Sequence, residues 1–204
     1  MKAFHQAVTE WAAGGSGTPA RELAVRLRVR SAVLLEGLSD VAAVDALAER
    51  RSRDLAAEGV CVVSMGGAMN VGRYARLLGP AGLGLRLSGL CDERERRYYD
   101  RALESVDGPD GGTVFVCVAD LEDEFIRALG VARVEEVVRE AGEWHPWQTF
   151  ARQPAQQDRP AHRRLRRFLG TKAGRKIRYG RLLTEAAYDT GCVPAPLEGL
   201  FAQL

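Results

Sequence analysis

Residues 31–48 read SAVLLEGLSDVAAVDALA. The apolar run SAVLL is halted by Glu36 and Gly37, which is the form of a short buried strand. Beyond it, apolar residues recur at Val41, Val44, Ala48 and Leu55, the spacing of one helix face, and predict a helix over 40–59 ending at Gly59. The alternation then repeats. GVCVVSMGG (59–67) is a second strand stopped by two glycines, and NVGRYARLLGP (70–80) is a helix stopped by Gly-Pro. LGLRLSGL (83–90) is a third strand, followed by a helix over 92–106 and a turn, DGPDGG, at 107–112. TVFVCVAD (113–120) is a fourth strand and LEDEFIRALG (121–130) a helix. Strands alternating with helices predict an α/β fold, a mostly parallel four-stranded sheet covered on both faces.

Outward from this body the pattern changes. A short helix-like start ends at the break GGSGTP (14–19), and an Arg-rich amphipathic stretch follows at 20–30. After WHPWQTFARQPAQQDRP (144–160) come two helix-like stretches, HRRLRRFLG and RKIRYGRLLTEAAYDTG. The expected organisation is an N-terminal helical segment and linker (1–29), a core (30–142) and a basic helical extension (143–204).

Length and composition set outer limits. The 204 residues suit one domain with an appendage, and 46 % hydrophobic residues suffice for a buried core. A net charge of +2 excludes a polybasic, histone-like chain but hides an asymmetry. Residues 1–150 carry 18 basic and 23 acidic groups, a charge of −5; residues 151–204 carry 11 and 4, a charge of +7. No apolar run approaches the ~18–20 residues needed to span a bilayer, and Glu10 and His5 interrupt the start, so neither a membrane span nor a secretory leader is read. A cytoplasmic protein is expected. Cys61, Cys91, Cys117 and Cys192 lack CxxC spacing, which fits buried thiols in a reducing compartment and argues against zinc. His145 and His162 stand alone and read as structural.

Acidic residues follow three of the four strands. They are Glu36 with Asp40; Asp92 with Glu93 and Glu95; and Asp120 with Glu122 and Glu124. Taken singly, Asp40, Glu93 or Asp123 reads as a helix cap or a first-turn charge. Taken together, they converge on the carboxyl edge of a parallel sheet, where ligands gather. Like charges in such a crevice repel unless a cation lies between them, and oxygen-only clusters suit Mg²⁺ or Mn²⁺.

The order strand, Glu-Gly, Asp in VLLEGLSDVAAVDALA resembles the opening motif of Toprim domains. VVSMGGAMNVGRYARLLGPAGLGLRLSGLCD and VFVCVADLEDEFIRALG resemble the Toprim region of the OLD (overcoming lysogenization defect) nucleases. The resemblance covers roughly residues 30–190. It departs from the common Asp-x-Asp pattern at Asp92-Glu93-Arg94-Glu95, where Arg94 stands at the second aspartate, which puts Glu93 and Glu95 in doubt as ligands. The chain also has no Gly-x-x-x-x-Gly-Lys-Ser/Thr phosphate loop, whereas OLD nucleases join an ATPase to this region. The expectation is a stand-alone Toprim protein or one half of a split system with a separate ATPase subunit.

The resemblance implies Mg²⁺- or Mn²⁺-dependent cleavage of DNA at a two-metal site. Glu36, Asp40 and Asp92 are assigned to the first cation, and Asp120, Glu122 and Glu124 to the second. Glu36 is alternatively a general acid or base, as elsewhere in the superfamily. A downstream lysine that stabilises transition-state charge is matched by Lys176, with Lys172 nearby; both belong to a chain with only three lysines.

The basic tail complements the crevice. Residues 151–180 hold ten Lys and Arg and one acid, Asp158. Arg163, Arg164, Arg166 and Arg167 cluster around an apolar face of Leu165, Phe168 and Leu169, and guanidinium forks of this kind hold phosphates. Lys172, Arg175 and Arg178 extend the expected nucleic-acid contact. Trp144, Trp147 and Phe150 either stack bases or pack the tail on the sheet, and packing is the favoured reading. Gly66-Gly67, with Asn70 and Gly72, reads as a tight turn or a phosphate cradle. Two other functions stay open: a non-catalytic metal- or DNA-binding subunit of an ATPase–Toprim complex, and a small Toprim ribonuclease. A homo-oligomer is compatible with all three.

Overall fold

The computed structural model describes residues 1–107 and 112–204. Four strands, β1 (Ser31–Leu35), β2 (Val60–Ser64), β3 (Arg86–Asp92) and β4 (Thr113–Cys117), form one sheet in the order β2-β1-β3-β4. Every pairing is parallel; Leu35 lies opposite Ser64 on one side and Leu90 on the other. All of β1 is buried, and its side chains alternate between two cores. Val33 and Leu35 enter one core, and Ala32 and Leu34 the other.

On the second face lie α1 (Lys2–Ala12), α2 (Thr18–Arg26), α4 (Val71–Leu78) and α5 (Arg96–Asp107). The first face carries α3 (Leu38–Arg50), α6 (Leu121–Glu140), α7 (Trp144–Ala151), α9 (Ala161–Leu169), α10 (Ala173–Asp189) and α11 (Ala195–Gln203), with the short α8 (Pro154–Gln157) between α7 and α9. Leu165, Phe168, Leu183 and Phe201 share one cluster with Val33 and Leu90, so the basic tail packs on the sheet.

Several elements differ from expectation for local reasons. The helix read over 40–59 stops at Arg50, because Ser52 adopts a left-handed φ of 53° and the Arg53 N–H turns back to the Ala48 carbonyl. The third helix begins at Arg96 rather than 92, because Glu93 N–H still donates to the Cys117 carbonyl. α6 continues past Gly130, which absorbs a kink with φ 77°. WHPW is helical, with Pro146 in the first turn, where no intrahelical N–H is lost. Trp147 packs 5.4 Å from Phe168 and 6.3 Å from Phe150, so this aromatic group serves the core. The turn expected at 107–112 lies largely outside the described residues.

α10 lies close against α3 because Gly180 has no side chain; a Cβ there would collide with the Ser39 carbonyl oxygen. Gly180→Ala is expected to cost about 1–3 kcal/mol of stability by forcing these helices apart. A lowered urea midpoint with an unchanged slope checks this.

Candidate active site

The chain leaves β1 toward β2 on one side and returns to β3 on the other. The loops after β1 and β3 therefore diverge, α3 to one face and α5 to the opposite one, and open a crevice at the carboxyl ends of the two central strands. Glu36 follows β1, and Asp92 ends β3. Gly66 and Gly67, at φ 69° and 130°, let the chain after β2 fold so that the Gly67 N–H donates to the Glu36 carbonyl at 3.0 Å. In this turn the glycines anchor the backbone of Glu36.

Glu36, Asp92 and Glu95 each offer a carboxylate oxygen within 4.8 Å of the other two. Glu95, expected near this edge but in doubt as a ligand, joins the cluster. It arrives because residues 93–95 turn before α5 instead of being helical, with its N–H donating to the Asp92 carbonyl. Its Oε2 is buried without a hydrogen-bond partner among the described residues. Burial, then the facing Glu36 charge, raises the Glu95 carboxyl. Burial pushes Asp92 up to about 8, reinforced by Asp120, Glu95, Asp40 and Glu36. A site that holds its carboxylates at such electrostatic cost, with an orphaned oxygen among them, fits a divalent cation.

Two further carboxylates cap helices as well as facing the crevice. Asp40 Oδ2 accepts the Gly37 N–H at 3.1 Å, and burial raises this carboxyl against the pull of Lys176. Asp120 Oδ1 accepts the Asp123 N–H at 2.8 Å, while Oδ2 accepts from Arg166 Nε at 2.7 Å. Glu36, Asp40, Asp92, Asp120 and Lys176 line a cavity of about 10 Å³, room for a single ion or water. Glu122 is 4 % exposed, and its Oε2 lies 3.5 Å from Lys176 Nζ. Burial lifts Glu122 to about 7, opposed by Lys176. Burial works against the charge on Lys176, but Glu122, Asp40, Asp120 and Asp92 outweigh it and raise its pKa. Glu124 is turned aside, accepting from the Val118 N–H and from Arg127.

Beside this notch runs a cavity of about 720 Å³. Arg159, Arg163, Arg166 and Arg167 line it with Thr171 and Asp120, and Arg94 lines it as well. On α9, positions 163, 166 and 167 share one face, opposite the buried Leu165, Phe168 and Leu169, and Arg159 joins them from just before the helix. Arg94 and Arg159 were not foreseen; the signal for Arg94 was its place two residues after Asp92. Other tail cations lie outside the groove. Arg175 is paired with Glu143 and lies over the Phe168 ring, and Arg178 donates to the Ala141 carbonyl. Arg164 is half-buried with its Nε unpartnered, and Lys172 is exposed at the start of α10. Cys61, Cys91 and Cys117 are buried free thiols, and Cys192 is an exposed one. Among the described residues no helix is long and apolar enough to cross a membrane.

A parallel four-stranded sheet with acidic residues gathered at the ends of its central strands is an α/β domain with a ligand crevice at its topological switch point. Residues 29–93 match the family model "Overcoming lysogenization defect protein-like, TOPRIM domain". The fold is similar to the C-terminal region of the Burkholderia pseudomallei OLD protein, at a TM-score of 0.60 and 24 % identity over 86 % of this chain and 98 % of that one. Two structures of the C-terminal region of the Xanthomonas campestris pv. campestris OLD protein are similar as well. One, phased with platinum, has 27 % identity and a TM-score of 0.60 over 84 % and 89 % of the chains. The other, phased with iodine, has 26 % identity and a TM-score of 0.59 over 83 % and 91 %. No curated protein matches the chain. The chain thus carries a Toprim domain that resembles that of OLD proteins.

Proposed function

We propose that the chain is a divalent-cation-dependent nuclease that hydrolyses DNA phosphodiester bonds. An OLD-like Toprim domain implies a metal-binding, nuclease-type family. The observation that carries the reading to these residues is the Glu36–Asp92–Glu95 cluster beside an arginine-lined groove. Glu36, Asp92 and Glu95 would hold one cation, and Asp40, Asp120 and Glu122 supply the remaining negative charge around the notch. Mg²⁺ or Mn²⁺ held there would lower the pKa of a water and neutralise phosphate charge. Glu36 is the residue that would take a proton from the attacking water at its carboxylate. Lys176 presents its ammonium to the notch from α10 and offsets charge that grows on the phosphate. Arg163, Arg166 and Arg167 hold flanking phosphates through bidentate hydrogen bonds. In this reading residues 30–142 form the catalytic core and 143–204 its phosphate-holding extension.

Supercoiled plasmid incubated with Mg²⁺ or Mn²⁺ is expected to be nicked or linearised, and EDTA to stop this. Absence of cleavage with both cations, on DNA and on matched RNA, overturns the reading. Matched RNA cleaved in preference to DNA would make the chain a ribonuclease instead. A second reading is favoured by the fact that the similar structures are C-terminal regions of OLD proteins. In it the chain binds cation and DNA but turns over only beside a partner ATPase.

DNA affinity is expected to fall steeply with salt. Arg163→Ala with Arg167→Ala removes two phosphate contacts and flattens the log–log slope by about 1–2. Fluorescence anisotropy over a range of NaCl concentrations reads that slope.

A further inference from the structure

Asp120 lines both the ion-sized notch and the arginine groove, and it is the one residue common to the two linings. Both its oxygens are engaged, Oδ1 by the Asp123 N–H and Oδ2 by Arg166 Nε. Arg166, which lines the groove, thus bonds a carboxylate that also lines the notch and offsets the charge of Asp120. Arg94, Arg163 and Arg167, in the same groove, make no ion pair among the described residues. Uncompensated cations on a concave wall repel one another and draw in a polyanion. The cavity is large enough for more than one phosphate, which suits a nucleic-acid backbone.

We infer that the groove is a phosphodiester site coupled to the cation notch through the Arg166–Asp120 pair: a backbone phosphate takes Arg166, and the freed Asp120 carboxylate completes the cation site. This inference rests on the nuclease reading above. Its chemistry is an exchange of partners. Arg166 trades a carboxylate for a phosphate, to which its planar fork is equally matched. Asp120 then stands near Asp92 without its arginine, and the Lys176 ammonium, shared with Glu122 and Asp40, is left to offset them, an arrangement that favours entry of a divalent cation. Each ligand therefore favours the other, and the coupling is reciprocal. A substrate-free protein holds its cation weakly, and the site assembles only around a strand that already lies in the groove.

The test measures Mn²⁺ binding by calorimetry and binding of a fluorescein-labelled short oligothymidylate by anisotropy, with and without Ca²⁺. In the wild type, Ca²⁺ is expected to tighten oligonucleotide binding about 5-fold or more. Arg166→Gln is expected to bind Mn²⁺ about 5-fold more tightly than wild type when no oligonucleotide is present, and to lose the effect of Ca²⁺. Asp120→Asn is expected to lose the effect of Ca²⁺ without the gain in Mn²⁺ affinity. Arg166→Lys, which keeps the charge but not the fork, reads the same coupling should the glutamine variant fail to fold. Unchanged Mn²⁺ affinity in Arg166→Gln, or a Ca²⁺ effect that persists in Asp120→Asn, overturns the coupling alone. If Asp92→Asn leaves Mn²⁺ binding intact, the cation reading falls and the coupling falls with it.

Discussion

Asp92→Asn is expected to abolish cleavage while making the cation-free protein more stable. Asp92 lies at the end of β3 between the other carboxylates, so its replacement removes a central ligand. The lost stabilisation of transition-state charge is about 3–4 kcal/mol, or about 10³-fold in rate. The stability change has the opposite sign. The Asp92 carboxyl titrates at about 8 in the fold against an ordinary value of 3.8, driven first by burial and then by Asp120 and Glu95. The folded state therefore holds this proton more tightly than the unfolded state does. That contribution to stability is complete below pH ~4 and is lost as pH rises through about 8. An asparagine never ionises and escapes the loss. The gain is expected to be about 1–2 kcal/mol above pH 8, after allowance for solvent at a half-buried group, or about 2–8 °C in Tm. Thermal scans in EDTA at pH 5 and 8.5 check this; a variant no more stable than wild type at the higher pH contradicts it. The same proton competes with the cation. Mn²⁺ affinity of the wild type is expected to strengthen from pH 6 to 8, with proton release on binding.

Lys176→Met is expected to damage both activity and stability. Its ammonium is the cation nearest the buried Glu122 and lies among Asp40, Asp120 and Asp92. Methionine keeps most of the stem and deletes the charge. Cleavage is expected to fall about 10²–10³-fold, by comparison with loss of a preorganised donor at a developing anion. Stability at pH 8.5 is expected to drop about 2–3 kcal/mol, below the full cost of a broken buried pair because Lys176 is partly exposed. The loss depends on pH through Glu122, which titrates at about 7 even with the lysine in place. A carboxyl raised in the fold contributes stability when protonated and loses it as pH rises through its folded value. Without Lys176 that value rises further, so the deficit is largest in alkali and shrinks as Glu122 takes up its proton. Urea midpoints at pH 5.5 and 8.5 measure the difference; an equal deficit at both contradicts the assignment.

The strands were legible because each is a short apolar run punctuated by glycine or acid, and buried parallel strands need exactly one thing from sequence, apolar side chains on both faces. Helix ends were less legible. Ser52 in a left-handed conformation has no glycine to announce it, and Pro146 in WHPW suggests a breaker where it opens a helix. Glu36 and Asp92 could be placed at the crevice because strand ends of a parallel sheet share one edge. Glu95 could be placed near the edge but not in the cluster, because its approach to Glu36 depends on a tight turn after Asp92 that a helical reading of 92–106 erases. The arginine-rich helix was visible as an amphipathic stretch, but the split between Arg163, Arg166 and Arg167 in the groove and Arg175 bound to Glu143 was not.

By itself, then, the sequence determined the layered α/β architecture, the strands that carry acid at their ends, and the opposition of an acidic body to a basic tail. These follow from periodicity and composition, which act over a few residues. The tertiary structure alone decided which charges meet. The strand order β2-β1-β3-β4 brings Glu36 beside Asp92, the missing side chain at Gly180 lets α10 carry Lys176 to Glu122, and the packing of α9 against α6 sets Arg166 on Asp120. Such pairings join residues 46 or more positions apart, as Arg166 and Asp120 are. They are selected by how helices dock on the sheet, a property of the packed core that no local pattern in the chain records.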